Sequence, residues 1–107
     1  MLEISPQSAF EEISSGRAVG VDVRESHEWD AGHGENVSWN PMSAFDVAAL
    51  PNDKPLIVIC RSGSRSAQVA TAIAAQMENV FNMTGGMKAW HEAGLPMVSA
   101  SGNPEVA

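Results

Sequence analysis

The sequence predicts an α/β fold, with an open sheet of about five mainly parallel strands and helices on both faces. Short apolar, β-branched runs alternate along the chain with segments whose apolar residues recur at helical spacing. The clearest runs, Val19–Val23 and Leu56–Ile59, are apolar almost throughout, as expected of strands covered on both faces. The length of 107 residues suits one domain, and a hydrophobic content of 44% with 18% charged residues favours a packed core over disorder.

Local signals mark where each element begins and ends. Ser5 can cap a helix whose first position is Pro6, because proline lacks the amide proton that would be unpaired there. Gly16 suits the end of that helix. The other expected elements are, in chain order, a short strand at 2–4, a helical turn or two at 25–31, a short helix at 41–50, a helix from 67 to 77, a strand at 80–83 and a helix at 87–93.

Composition excludes several classes of function. Thirteen acidic and six basic residues give a net charge of −7, which disfavours nucleic acid as a partner. No apolar run approaches the ~20 residues of a membrane span, and the N-terminus has no signal-peptide pattern, so we expect no membrane partner and a cytoplasmic location. With one cysteine and three scattered histidines, we expect no internal disulfide, no metal site and no cofactor.

The single cysteine, Cys60, lies where ligands bind in open α/β sheets, at the carboxyl end of a buried strand. The segment that joins it to the next helix is Arg61, Ser62, Gly63, Ser64, Arg65 and Ser66. Its amides can curl around the sulfur, and the helix start adds partial positive charge. Two of the six basic residues also lie within five residues of the thiol, so we predict a thiolate of lowered pKa. The alternative is a Gly/Ser turn that carries two solvated arginines.

The segment Cys60–Ser66 resembles the active-site loop of the rhodanese (sulfurtransferase) family. Two further segments resemble its signatures: Asp22–Glu25 with Glu28-Trp29 and Gly32-His33, and Thr84–Trp90 followed by Ala93–Pro96. The stretch Gly34–Asn40 departs from the family pattern, although Asn36 can adopt the left-handed conformation that a turn there needs.

This resemblance implies a single rhodanese-like domain at residues 1–98, with a solvated tail at 99–107. It implies that Cys60 takes sulfane sulfur as a persulfide and passes it to an acceptor, while the amides of residues 61–66 stabilise the sulfur and Arg61 and Arg65 bind an anion. The implied partners are a small anionic sulfur donor (thiosulfate, a persulfide or polysulfide) and a sulfur-accepting protein or small thiol.

Other polar residues near these segments are expected to be structural. Asp22 lies in a buried strand, so we expect its carboxylate to pair with Arg24 or a backbone amide. His33 is expected to fasten a turn, and Glu28, with its neighbour Glu25, to lie on a solvated face near a helix start.

Two other classes of function stay open. One is a sulfur carrier or docking module without turnover of its own. The other is a phosphatase or arsenate reductase, which shares the cysteine-loop-arginine arrangement but places five residues between cysteine and arginine. Here only four separate Cys60 from Arg65, and this shorter loop suits one sulfur atom better than a tetrahedral oxyanion.

Overall fold

A computed structural model describes all 107 residues of the chain. Its strands are β1 (Leu2–Ile4), β2 (Val19–Asp22), β3 (His33–Gly34), β4 (Ser38–Trp39), β5 (Leu56–Ile59), β6 (Val80–Met83) and β7 (Met97–Val98). Its helices are α1 (Pro6–Ser14), α2 (Ser26–Ala31), α3 (Ser64–Ala74) and α4 (Gly86–Glu92). No helix is both long enough and apolar enough to cross a bilayer.

Five strands form one parallel sheet in the order β1-β6-β5-β2-β4, which confirms the predicted fold class. In its centre Val58 of β5 lies between Val21 of β2 and Asn82 of β6. Strands β3 and β7 form a separate antiparallel pair that the sequence did not predict. The carboxyl ends of the five parallel strands lie at one edge of the sheet, and Cys60 follows β5 at that edge.

The core has two halves, one on each face of the sheet. Ile57 and Ile59 of β5 face the half that contains Met87 and Trp90 of α4. Val58 and Cys60 face the other half, which contains Val69 of α3. Because successive side chains of a strand point to opposite faces, a strand buried on both faces must be apolar throughout. This explains the uniform run at 56–59 and directs the cysteine side chain toward α3.

The predicted helix at residues 41–50 is wrong. The segment instead contains two 3-10 turns, Met42–Ala44 and Val47–Ala49, separated by extended backbone at Phe45 and Asp46. The side chain of Asn40 exchanges two hydrogen bonds of 2.9 Å with the backbone of Asp46, through its amide nitrogen and its oxygen. These bonds close the segment into a loop, so the backbone does not continue as a helix.

The expectation of a fully solvated tail is wrong for its last residues. The amide of Glu105 donates to the carbonyl of Ala31 at 2.9 Å, and the half-buried side chain of Val106 packs against the core. The carbonyl of Ala107 accepts a hydrogen bond of 2.9 Å from Arg61. Residues 101–103 are exposed, as expected. The tail therefore returns to the body of the molecule, while the division into 1–98 and 99–107 stays a prediction.

Candidate functional site

The Cys60 side chain is enclosed by the loop that follows it. Only 1% of the residue is exposed. The amide of Gly63 donates to the sulfur at 3.0 Å, and the Ser66 hydroxyl lies 3.2 Å from it. Gly63 has a φ of +106°, a left-handed conformation that favours glycine, and it precedes the first residue of α3. The loop thereby turns its donors inward at the start of the helix.

These donors act on the ionisation of the thiol. Burial raises the pKa of Cys60, because it removes the charged form from water. The hydroxyl of Ser66 and the amides of Ser66, Gly63 and Ser62 outweigh burial and lower the pKa below that of a free thiol. The predicted direction of the shift agrees with this result, and so does the predicted part of the loop amides. The predicted part of the arginines differs, because neither guanidinium hydrogen-bonds the sulfur, and the Ser66 hydroxyl contributes instead.

Helix α4 holds the loop from the other side. The amide of Met87 donates to the carbonyl of Cys60 at 2.8 Å, and the amide of Lys88 donates to the carbonyl of Arg61 at 3.0 Å. A side chain at Gly86 would lie 2.5 Å from backbone atoms of both Cys60 and Arg61. The glycine is therefore required for this close approach, which explains why the Gly85-Gly86 pair matters to a site 25 residues earlier in the chain.

Arg65 is paired with Glu28 rather than turned to the sulfur. Its two terminal nitrogens donate to the two carboxylate oxygens of Glu28 at 2.8 and 2.7 Å. This bidentate bond lowers the pKa of Glu28 to about 2, against the opposing effect of burial, and raises the pKa of Arg65 above its usual value. The expectation that Glu28 lies on a solvated face is wrong, because the residue is buried and joins α2 to the cysteine loop.

Arg61, in contrast, lies at the surface. Its Nε donates to the carbonyl of Ala107, and its side chain borders a groove of about 360 Å³ that Lys88 and His91 of α4 also line. The two arginines therefore differ in the structure, because Arg65 is anchored by Glu28 and Arg61 is exposed. Their roles toward a ligand stay predictions.

Asp22 and Arg24 form a fully buried ion pair beside the site. Arg24 donates to the Asp22 carboxylate through Nε and Nη2, at 3.0 and 2.7 Å, and through Nη2 to the carbonyl of Gly32. The expected structural pairing of Asp22 with Arg24 is thus present. His33 makes the expected local contact: its Nδ1 lies 3.0 Å from the carbonyl of Trp29, on whose ring it stacks.

The sequence analysis missed one polar residue of the site. Asn82, buried in β6, lies in hydrogen-bonding contact with the hydroxyl of Ser66 and thus one residue away from the sulfur. A signal was present, because Asn82 is the only polar residue in the apolar strand Val80–Met83. An amide there needs a buried partner, but the sequence does not indicate which one.

Comparison with known proteins agrees with this arrangement of a parallel sheet and a cysteine loop at its carboxyl edge. The rhodanese-like domain family matches residues 5–93. The thiosulfate sulfurtransferase GlpE of Actinobacillus succinogenes is 34% identical, with 94% of this chain and 93% of the relative covered. GlpE of Haemophilus influenzae is 39% identical, with 92% and 95% covered. A crystal structure of a rhodanese-related protein from Thermoplasma volcanium superposes with a TM-score of 0.83 at 30% identity, covering 92% of this chain and 98% of that one.

The chain belongs to the rhodanese-like domain family. The predicted family and fold are therefore confirmed, and the relatives' shared name supports the predicted class of enzyme, a sulfurtransferase. The match extends through the atypical stretch Gly34–Asn40, where Asn36 has a φ of 64°. There, Trp39 of the edge strand β4 is 41% exposed and donates through its indole nitrogen to the carbonyl of Arg24.

Proposed function

We propose that this protein transfers sulfane sulfur from a small anionic donor to a thiophilic acceptor through a persulfide on Cys60. The observation that supports this proposal most directly is that the Gly63 amide and the Ser66 hydroxyl enclose the sulfur of Cys60, and that the pKa of this thiol is lowered. A thiolate is the reactive form of cysteine, and a lowered pKa increases the fraction of Cys60 in this form.

The first half-reaction begins with attack of the Cys60 thiolate on the outer sulfur of thiosulfate, the substrate in the relatives' names. A new S–S bond forms to Cys60, the S–S bond of thiosulfate breaks, and sulfite leaves with the electron pair of that bond. The negative charge of the thiolate moves to the outer sulfur of the persulfide. In the second half-reaction a nucleophile such as cyanide or a thiolate bonds to that outer sulfur, and the Cys60 thiolate is released.

The residues around Cys60 support a division of roles. The amides of Ser62, Gly63 and Ser66 are inward-facing donors suited to a negative sulfur, in the way that an oxyanion hole suits a negative oxygen. Arg61, at the surface beside Lys88, is suited to meet the anionic donor from solvent. Arg65, fixed by Glu28, maintains the shape of the loop through its ion pair. Asp22, Arg24 and His33 support the neighbouring turns.

Mass spectrometry of the intact protein tests the proposal. After incubation with thiosulfate, we expect the mass to rise by one sulfur atom, and added cyanide should restore the original mass with release of thiocyanate. Cys60→Ser should neither gain the sulfur nor transfer it. Full sulfur transfer by Cys60→Ser would overturn the proposal, and loading without turnover would assign the protein as a sulfur carrier. Hydrolysis of an aryl phosphate that depends on Cys60 would instead favour the phosphatase alternative.

A further inference from the structure

Two buried polar side chains, Ser66 and Asn82, connect the sulfur to the exposed carboxylate of Glu3 on the edge strand β1. The Ser66 hydroxyl lies 3.2 Å from the Cys60 sulfur and 2.5 Å from the side-chain oxygen of Asn82. The side-chain nitrogen of Asn82 lies 3.2 Å from both the carboxylate of Glu3 and the carbonyl of Gly63. Ser66 is fully buried and Asn82 nearly so, which shields the contacts of Ser66 with the sulfur and with Asn82 from water.

The orientation of the Asn82 amide follows from its surroundings. The carboxylate of Glu3 and the carbonyl of Gly63 can only accept hydrogen bonds, so the nitrogen of the amide must face them. A flipped amide would place its oxygen against two other oxygens. The oxygen therefore faces Ser66, where it also can only accept.

A serine hydroxyl has one proton to donate. The hydroxyl of Ser66 has two acceptors within reach, the sulfur of Cys60 and the oxygen of Asn82, and it can serve only one of them at a time. When Cys60 is a thiol, the neutral sulfur is a weak acceptor, and the Ser66 hydroxyl donates its hydrogen bond to the oxygen of Asn82. When Cys60 is a thiolate, the charged sulfur is the stronger acceptor and the hydroxyl turns to it.

We propose that Asn82 is a positioning residue, whose side-chain oxygen competes with the Cys60 sulfur for the hydrogen bond from the Ser66 hydroxyl. Glu3 holds the amide of Asn82 in the orientation that makes this competition possible. The proposal rests on the proposed persulfide chemistry. Persulfide formation moves the negative charge from the Cys60 sulfur to the outer sulfur. The Ser66 hydroxyl then donates its hydrogen bond to Asn82 again. The hydrogen bond between Ser66 and Asn82 therefore stabilises the two states in which the Cys60 sulfur is uncharged, the thiol and the persulfide, relative to the thiolate.

Charged groups from every neighbouring element also act on the thiolate and must be separated from this effect. They are Glu3 on β1, Asp22 at the end of β2 with Arg24 just beyond it, Glu28 on α2, Arg61 in the loop, Arg65 on α3 and Lys88 on α4. Substitutions at Ser66 and Asn82 leave all of these charges in place, although Asn82→Leu also removes the hydrogen bond to Glu3. Because that bond is lost both with and without the Ser66 hydroxyl, a thermodynamic cycle between the two positions isolates the competition.

The experiment is the rate of alkylation by iodoacetamide as a function of pH, which reports the pKa of the single cysteine and requires no sulfur donor. Ser66→Ala should raise the pKa of Cys60, because a donor to the thiolate is lost. Asn82→Leu, similar in shape but unable to accept, should lower it by about half to one unit, the size expected of one neutral hydrogen bond. In the Ser66→Ala background, Asn82→Leu should have no effect on that pKa.

The sign of the Asn82→Leu effect distinguishes competition from simple support of the loop. If Asn82 only held the loop in place, its loss would misplace the amides and raise the pKa of Cys60, and this result would overturn the proposal. An equal shift with and without the Ser66 hydroxyl would overturn it as well. Circular dichroism checks that each variant is folded.

Glu3→Met provides a second route if Asn82→Leu does not fold, because Glu3 is exposed on an edge strand and methionine is similar in length but cannot replace the carboxylate acceptor. Removal of its charge lowers the pKa of Cys60 by Coulomb's law alone, and the Ser66→Ala background measures that part. A larger decrease in the presence of Ser66 supports the competition, and equal decreases contradict it. Since alkylation is read without sulfur transfer, a failure of the persulfide proposal would appear in mass spectrometry and not here.

Discussion

At the scale of single residues, the ion pair between Glu28 and Arg65 makes the clearest prediction. The pKa of Glu28 is about 2 in the folded protein, against 4.5 for the free side chain. A depressed carboxyl pKa contributes stability that is complete above the unfolded value and is lost as the pH falls through the folded value. The stabilisation by this pair is therefore lost between about pH 4.5 and about pH 2.

Glu28→Gln should lower the free energy of unfolding at neutral pH by roughly 2–3 kcal/mol, given that Arg65 is partly exposed and its attraction partly screened. The difference from the wild type should shrink as the pH falls toward 2, because the wild-type carboxylate is then protonated. Urea unfolding of both proteins across this range measures it. A difference that stays constant with pH would show that the charge of Glu28 contributes nothing.

The two arginines should differ in steady-state kinetics with thiosulfate. Arg61→Ala should raise KM about two- to fivefold with little change in kcat, because an exposed charge contributes modestly and equally to ground state and transition state. Arg65→Ala should instead lower kcat, since it releases Glu28 and loosens the loop around the sulfur. If Arg65→Ala alone raised KM, the assignment of the exposed and the anchored arginine would be reversed.

At the scale of secondary-structure elements, the contact between α4 and the cysteine loop depends on Gly86. This residue has a φ of +59°, and a methyl group there would lie 2.5 Å from three backbone atoms of Cys60 and Arg61. Gly94, which follows the same helix, has a φ of +72° and no atom within 4 Å of an added methyl group. Substitution by alanine would therefore strain the backbone at both glycines, but only at Gly86 would the added methyl group collide with the cysteine loop.

Gly94→Ala should reduce the free energy of unfolding by about 1–2 kcal/mol, the cost of a left-handed conformation alone. Gly86→Ala should reduce it by a further ~1–3 kcal/mol, as overpacking does, and should raise the pKa of Cys60 as the loop amides move away. Denaturant unfolding and the pH dependence of alkylation measure these effects. Similar losses in the two variants, with an unchanged pKa, would mean that the loop tolerates the displacement of α4.

The elements also indicate which parts of the molecule a sequence can predict. Strand β5 and the loop after it could be predicted because their signals are local: a buried apolar run, followed by a glycine among small and basic residues. The helix expected at 67–77 was placed three residues too late, since α3 is Ser64–Ala74 and begins without a side-chain cap. The pairing of Glu28 with Arg65 joins residues 37 positions apart and was missed, because charge at a helix start looks the same whether it is solvated or paired. The β3–β7 pair consists of two-residue strands with no periodic pattern, and the loop at 41–50 depends on the side chain of Asn40.

At the scale of the whole molecule, net charge should act on the encounter with an anionic donor. The chain carries a net charge of −7, which repels thiosulfate over the whole surface, while Arg61 and Lys88 attract it locally beside the loop. The same groove is lined by Glu92 and Glu105, which reduce this local attraction. Salt at about 0.1 M and above screens both effects. In the wild-type protein, the general repulsion raises the KM for thiosulfate and the local attraction lowers it.

Arg61→Ala leaves the repulsion with less local attraction, so the KM of this variant should fall as ionic strength rises. The ratio of its KM to that of the wild type should shrink toward one for the same reason. Kinetics at ~0.02 M and ~0.2 M salt provide the comparison. A ratio that grows with salt would indicate that Arg61 contributes through packing or a direct hydrogen bond instead of through long-range charge.

The position of β1 has a consequence for the nascent protein. β1 is synthesised before the other four strands of the sheet, yet its only partner there is β6, so its residues pair only once the chain extends past Met83. At about 5–20 residues per second this interval is ~4–16 s. The contacts of Glu3 with Asn82, and of α4 with the loop, form only after that, so until then the loop around Cys60 lacks these supports. The proposed site therefore depends on residues that are synthesised after Cys60 itself, and a polypeptide that ends before β6 lacks the contacts that Asn82 and α4 make with the loop.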